Sequence, residues 1–391
     1  MRFYNYLILF FFMAAISSSC KKEIVKSTDS CTYTSLFSEH PKKNDFDKVL
    51  NNYVTRGLPG IIVLVRDSNG TYIGSAGMAD IEKGISIQPC HVSKVASITK
   101  LMLSTTIMQL SKQGILNLDE PISYFLPTDL NEKVANVKNV SLRQLLNHTS
   151  GIPDVVADQG FYLSLLDNPQ KCWEASELIR FVYNDDAVFE VGKGIKYSNS
   201  NFLLASMIVE SKTQQSHSEL IHKYIIDPLG MDNTYYQCHD ALPANVAQGY
   251  YDLYNSGNIL NLTNYNTGSG NGYGGMFSTV FDLQLFIEAL LREKTLLDSS
   301  SLAEMLTFTD EEPNMHRAMG LGIFKDFLER SSDEYAYGHR GRDLAYSADA
   351  FYFPNQDVTM CFIVNYGTNG ETALKKVFLD FRSALVDVIM N

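Results

Sequence analysis

The stretch Gly60-Ile61-Ile62-Val63-Leu64-Val65, followed by Asp67-Ser68-Asn69-Gly70 and then Thr71-Tyr72-Ile73-Gly74, decides the fold class. Two runs rich in β-branched and aromatic residues flank an Asn-Gly pair, which favours a tight turn between antiparallel strands. The far end of the chain answers it. Ala350-Phe351-Tyr352-Phe353 reads as a strand, Pro354-Asn355-Gln356-Asp357 as a turn, and Val358 to Val364 as a further strand. A closing helix follows, with Leu374, Val377, Phe378, Phe381, Leu385 and Val388 at helical spacing.

Between these ends the periodicity is helical. Leu101 to Gln113 is apolar at helical spacing and Gly114 is a natural stop. Ser176 to Tyr183, Phe202 to Glu210 and Asp282 to Arg292 read the same way. The expectation is an α+β fold: an antiparallel sheet built from both termini, flanked by helices, with a mainly helical region inserted over about residues 116–315.

The N-terminus carries a different signal. Arg2, an apolar run from Leu7 to Ile16 and the small residues Ser17-Ser18-Ser19 precede Cys20. The run is too short to span a bilayer, which takes ~20 residues, and it fits a secretory signal. The placement of Cys20 resembles a bacterial lipoprotein signal, which implies acylation of that cysteine, although Ser17 stands where Leu is usual. Residues 1–19 are read as a signal peptide, 20–45 as a lipid anchor and polar tether, and 46–391 as one domain. The expected location is the cell envelope, exported and anchored to the membrane through lipid. The remaining cysteines, Cys31, Cys90, Cys172, Cys238 and Cys361, show no CxxC spacing. They predict no particular disulfide, and most read as buried thiols.

The 391 residues are 45% hydrophobic and 19% charged, a globular composition, with a net charge of -12. An acidic chain without clustered Lys and Arg argues against nucleic acid as a partner.

Three short motifs carry chemistry. In Ser97-Ile98-Thr99-Lys100, a helix start places hydroxyl and amine on one face, since residues i and i+3 lie ~5–6 Å apart at Cβ. A serine needs a base to become a nucleophile, and a lysine held neutral by burial can serve. The same spacing recurs as Ser18 with Lys21 and Ser19 with Lys22, but only Ser97 heads a long apolar helix. Tyr197-Ser198-Asn199 offers a phenol that can relay a proton and an amide that can orient a substrate. His339-Arg340-Gly341 lies in the C-terminal β region, where a glycine permits close approach of a substrate backbone.

In the order Ser-x-x-Lys, Tyr-x-Asn, His-x-Gly, these motifs resemble the serine β-lactamase and penicillin-binding-protein superfamily. The branch resembled contains class C β-lactamases, D-alanyl-D-alanine carboxypeptidases and related esterases. Leu145-Leu146-Asn147-His148-Thr149-Ser150-Gly151-Ile152, Asp227 to Thr234 and Gly274 to Thr279 resemble further family segments. The resemblance implies Ser97 as nucleophile, Lys100 as its activating partner and Tyr197 as proton shuttle. It implies Asn199 and His339 at the substrate, and the backbone N–H groups of Ser97 and of Arg342, after Gly341, as oxyanion donors. Which of Lys100 and Tyr197 is the base stays open. Arg340 departs from the family, which has Thr, Ser or Gly there; strand alternation points it away from His339, toward solvent. Asn147-His148 reads as structural. No metal or organic cofactor is implied. The expected partner is a small-molecule or peptide substrate, with the oligomeric state open. The alternatives to a peptidase or esterase are a β-lactamase and a catalytically silent binding lipoprotein.

Overall fold

The computed structural model describes residues 25, 28–34, 39–268 and 270–391. Cys20 and the signal segment lie outside the described residues. The strands in chain order are β1 Gly60–Asp67, β2 Gly70–Asp80, β3 Ile85–Ser86, β4 Ser93–Ala96, β5 Tyr235–Tyr236, β6 Tyr250–Tyr251 and β7 Leu260–Asn261. They continue as β8 Met276–Ser278, β9 Ala318–Met319, β10 Phe324–Asp326, β11 Ala336–Arg342, β12 Ser347–Phe353 and β13 Val358–Val364.

One antiparallel sheet runs in the order β3-β2-β1-β13-β12-β11-β10-β9. The N- and C-terminal hairpins meet at its centre, where Val63 pairs with Gly74 on one side and Phe362 on the other. The expected hairpin turn is two residues long, because Asp67 pairs with Gly70. Both faces of the sheet are covered, which is why Ile61 to Val65 is uninterruptedly apolar rather than alternating. Ile61, Val63 and Phe362 pack with Phe46 and Leu50 of the helix Lys43–Thr55 and with Phe378, Phe381 and Leu385 of the closing helix Lys375–Met390. On the other face Ile62, Leu64 and Ala350 pack with Ile98 and Leu101 of the helix Ile98–Lys112. That helix is buried almost all round, so its sequence lacks a polar stripe.

From Val92 to Arg317 the chain leaves the large sheet. This region is largely helical, as the periodicity implies, but it also builds a small sheet, β4-β8-β5, from strands too short to show a pattern. The small sheet matters because β4 delivers the chain to Ser97.

The cysteine expectation is corrected. Cys31 is bonded to Cys90 and Cys172 to Cys238, which among the described residues leaves Cys361 as a buried thiol. The partners are 59 and 66 residues apart, and only docking of the N-terminal segment on the body brings the first pair together. That segment is fastened further where the Asp29 N–H donates to Ala244 O and the Thr28 hydroxyl to Val246 O.

Candidate active site

Ser97 sits at the junction of β4 and the buried helix. The preceding residue, Ala96, has φ 49°, a left-handed conformation costly for a residue with a Cβ. It is held there by pairing with Met276 and by the Thr99 hydroxyl, which donates to Ala96 O at 2.6 Å. The turn presents the Ser97 side chain to a cleft of about 660 Å³ whose lining includes Tyr197, Asn199, Tyr162 and Arg317.

Lys100 is completely buried one turn later. Its Nζ lies 3.0 Å from Ser97 Oγ, 2.8 Å from Asn199 Oδ1 and 2.5 Å from Tyr273 O. Burial pushes its pKa far below the ordinary lysine value; Asp154 and Asp343 pull it back up, and Arg317 pushes it down. In the neutral form, the two N–H bonds satisfy Asn199 and Tyr273, both acceptors, and the lone pair is left toward the Ser97 hydroxyl.

Asn199 is fixed at both ends of its amide. Oδ1 accepts from Lys100, while Nδ2 donates to Asp154 Oδ2 at 3.1 Å and the Asn199 N–H donates to Asp154 Oδ1 at 3.0 Å. Asp154 is therefore a site residue that sequence reasoning missed. Its only local sign is its place as a cap, accepting from Val156 N–H. Desolvation raises its pKa, and the hydrogen bonds from Val156 and Asn199 lower it.

Tyr197 lies on the connection before the helix Ser200–Thr213. Lys100 Nζ is 4.9 Å from its ring centroid. Burial drives its phenol pKa upward, against the Ser97 hydroxyl and Arg317, which lower it. Arg317 and Glu312 also escaped the sequence reading. The Tyr197 N–H donates to Glu312 Oε1 at 3.0 Å, Arg317 Nε donates to Glu312 Oε2 at 2.7 Å, and the guanidinium stands 5.2 Å from the phenol centroid.

His339 closes the group from β11. Its ring is buried, stacked on Phe324 with centroids 4.1 Å apart, and 6.3 Å from the Tyr197 ring. Nδ1 donates to Arg340 O at 2.6 Å, which leaves Nε2 as the lone-pair nitrogen of the neutral ring. Burial holds its pKa far below the ordinary histidine value, and Lys100 adds to the effect.

Gly341 is required for a reason other than a substrate's approach. An added Cβ would stand 2.1 Å from Val95 O, so β11 presses directly on the end of β4. This contact sets the Gly341–Arg342 peptide beside the turn that carries Ser97. The strand edge there is open, since β10 pairs only with Ala336 to Gly338.

Arg340 does point away from His339, but not into solvent. Its guanidinium binds Asp326 at 2.5 and 2.6 Å. Arg382 of the closing helix joins Asp326 to Asp349, and Arg342 completes the group on Asp349 at 2.7 Å. Burial lowers the Arg342 pKa to about 10. Among the described residues, no group of His, Cys, Asp and Glu is arranged to hold a metal ion.

The fold and this constellation define a β-lactamase- and penicillin-binding-protein-like architecture. A family profile described as Beta-lactamase matches residues 46–382, and the chain belongs to that family. Among curated proteins it is 24% identical over 330 residues to protein flp of Staphylococcus aureus (strain N315), covering 83% of this chain and 63% of that protein's length. The chain therefore spans less than two thirds of that relative. A D-stereospecific amidohydrolase from Streptomyces sp. superposes with a TM-score of 0.76 at 28% identity, covering 86% of this chain and 98% of that one. The D-amino acid amidase of Ochrobactrum anthropi SV3 superposes with a TM-score of 0.78 at 25% identity, covering 89% and 99%.

Proposed function

We propose that the chain is a serine hydrolase that opens an amide or ester through an acyl-enzyme on Ser97. The observation that carries this reading is the set of Lys100 partners: two fixed acceptors and, in the third direction, the Ser97 hydroxyl. Lys100, made neutral by its burial, takes the Ser97 proton as Oγ bonds to the substrate carbonyl carbon. The choice of Lys100 over Tyr197 follows from opposite effects of the same burial, since a neutral amine has a lone pair to accept the proton and a neutral phenol still holds its own. The carbonyl oxygen gains charge and is held by the N–H groups of Ser97 and Arg342, each typically worth ~3 kcal/mol. As the intermediate collapses, the bond to the leaving group breaks and Tyr197 relays a proton from Lys100 to it. Water then repeats the sequence on the acyl-enzyme and frees Ser97. His339 is not part of the cleft lining; its Nε2 is buried without a hydrogen-bond partner among the described residues, and its ring lies 6.3 Å from that of Tyr197, so in this reading it would serve the phenol rather than touch the substrate.

The open edge of β11 suits a peptide-like substrate that adds a short strand there. The D-stereospecific amidohydrolase and the D-amino acid amidase similar to this chain support amides of D-amino acids as the substrate class. Efficient β-lactam hydrolysis is not expected, because position 340 offers a guanidinium tied to Asp326 where the family has a hydroxyl or glycine. Export and acylation of Cys20 are part of the same proposal and rest on the N-terminal sequence alone.

The test is covalent labelling. The native protein should add one fluorophosphonate, seen by intact mass, and the folded Ser97→Ala protein none. Undiminished labelling of the variant rejects Ser97 as nucleophile. A panel of D-amino-acid amides, D-Ala-D-Ala peptides, short esters and nitrocefin then separates amidase, carboxypeptidase, esterase and β-lactamase. Release of a Cys20→Ala protein from the membrane fraction tests the anchor.

A further inference from the structure

His148 holds the loop of the phenol from several directions at once. Its backbone carbonyl accepts the N–H of Lys196 at 3.1 Å. Its ring Nδ1 accepts the N–H of Ser198 at 3.1 Å. Between them its imidazole stacks on the Tyr197 ring, with centroids 4.5 Å apart and planes at 30°. The N–H of Tyr197 itself goes to Glu312. Three consecutive backbone donors on the loop are thus taken, two of them by one residue.

The imidazole has a single workable state. Nδ1 must be the acceptor, so the neutral ring carries its proton on Nε2. The other tautomer or a protonated ring would set N–H against N–H at Ser198, and a flipped ring would set C–H there. His148 is 1% exposed, and burial together with Lys100 and Arg317 holds it neutral. Asn201 Nδ2 approaches Nδ1 to 3.2 Å and donates to Leu145 O, which ties the ring to the preceding turn. The backbone of His148 is left-handed at φ 60°, a conformation that His and Asn tolerate better than most residues. His148 is not part of the cleft lining. It reaches the chemistry through the loop that carries Tyr197 and Asn199.

We propose that His148 is a positioning residue that holds the Tyr197 phenol in line with Ser97 and Lys100. The proposal rests on the proton-relay role assigned to Tyr197 above. A relay needs heavy atoms within ~3 Å of each other. A displacement of about 1 Å can cost ~100-fold in rate.

Two substitutions separate the contacts. His148→Phe keeps a flat ring for stacking and loses the acceptor for Ser198. His148→Asn keeps an acceptor and a residue suited to left-handed backbone, and loses the stack. Each is made in the native and the Tyr197→Phe background. The readouts are kcat/KM on D-phenylalanine p-nitroanilide, whose anilide nitrogen needs a proton to leave, and the rate of fluorophosphonate labelling of Ser97. Melting temperatures are measured alongside. Tyr197→Phe alone should slow both reactions. His148→Phe should lower the rates about 10- to 100-fold in the native background and less than threefold beside Tyr197→Phe, because a phenol that is gone cannot be misplaced. Equal losses in both backgrounds overturn the positioning role and leave His148 a stabilising residue. A native rate for Tyr197→Phe instead overturns the relay itself, and the proposal with it. Should His148→Phe not fold, His148→Asn is judged by the same comparison.

Discussion

A methyl group on Gly341 would stand 2.1 Å from the carbonyl oxygen of Val95. That distance is far inside van der Waals contact with backbone, so β11 or β4 must move to admit any side chain. Either movement shifts the Arg342 N–H relative to Ser97. Gly341→Ala should therefore cost roughly 1–3 kcal/mol in stability through overpacking. It should also lower kcat/KM about 100-fold through a misplaced oxyanion donor. Chemical denaturation and steady-state kinetics check the two effects. Native activity in the variant would show that the strand contact does not set the donor.

Lys100 predicts a pH dependence of stability with a definite sign. Its folded pKa lies far below the ordinary 10.5, while in the unfolded chain it returns to that value. Across the interval between the two, the unfolded state holds a proton that the folded state lacks, so stability from this group rises with pH. The slope approaches ~1.4 kcal/mol per pH unit. Lys100→Met removes the term. The difference in unfolding free energy, native minus variant, should increase between about pH 7 and about pH 10. A flat difference would mean that Lys100 is charged in the folded protein and does not act as the base.

The sequence announced the two hairpins because apolar β-rich runs around Asn-Gly and Pro-Asn leave few alternatives for Ile61 to Gly74 and Ala350 to Val364. It also announced Ser97, Lys100, Tyr197 and His339, since each stands in a short motif. Asp154, Glu312 and Arg317 carried no such mark. Their roles arise from contacts across 45 and 115 residues, as between Asn199 and Asp154 or Tyr197 and Glu312. Alternation along β11 gave the direction of Arg340 correctly but not its surroundings, because Asp326 and Arg382 come from another strand and from the last helix.

Asp326 is the most exposed point of that arrangement in an energetic sense, although it is fully buried in space. It faces Arg340 and Arg382, and those two cations hold its carboxyl far below the usual carboxylate range against the cost of burial. Asp326→Asn removes the anion, leaves Arg340 without its carboxylate and leaves Arg382 with only Asp349, which it shares with Arg342. Breaking a buried pair in this way costs about 3–5 kcal/mol. Urea denaturation should show that loss in the variant. An unchanged midpoint would mean that solvent reaches the network. Because the Asp326 pKa is depressed, its contribution is present above the ordinary carboxylate value and fades as pH falls through its folded value.

The two disulfides make a chemical prediction that reverses the thiol reading of the sequence. Alkylation of the denatured but unreduced protein should leave Cys31, Cys90, Cys172 and Cys238 unlabelled and mark Cys361. Reduction before alkylation should add four labels. The Cys31–Cys90 bond closes a long loop and, with the Asp29 and Thr28 hydrogen bonds, clips the N-terminal segment beside β4, the strand that leads to Ser97. Replacing both cysteines by serine should cost about 2–4 kcal/mol, chiefly through a less restricted unfolded chain. The Ser97 turn is supported mainly by β8 and β11, so the labelling rate of Ser97 should stay within threefold of native at a temperature where the variant is folded. A large loss of labelling by a folded variant would show instead that the clipped segment shapes the Ser97 turn.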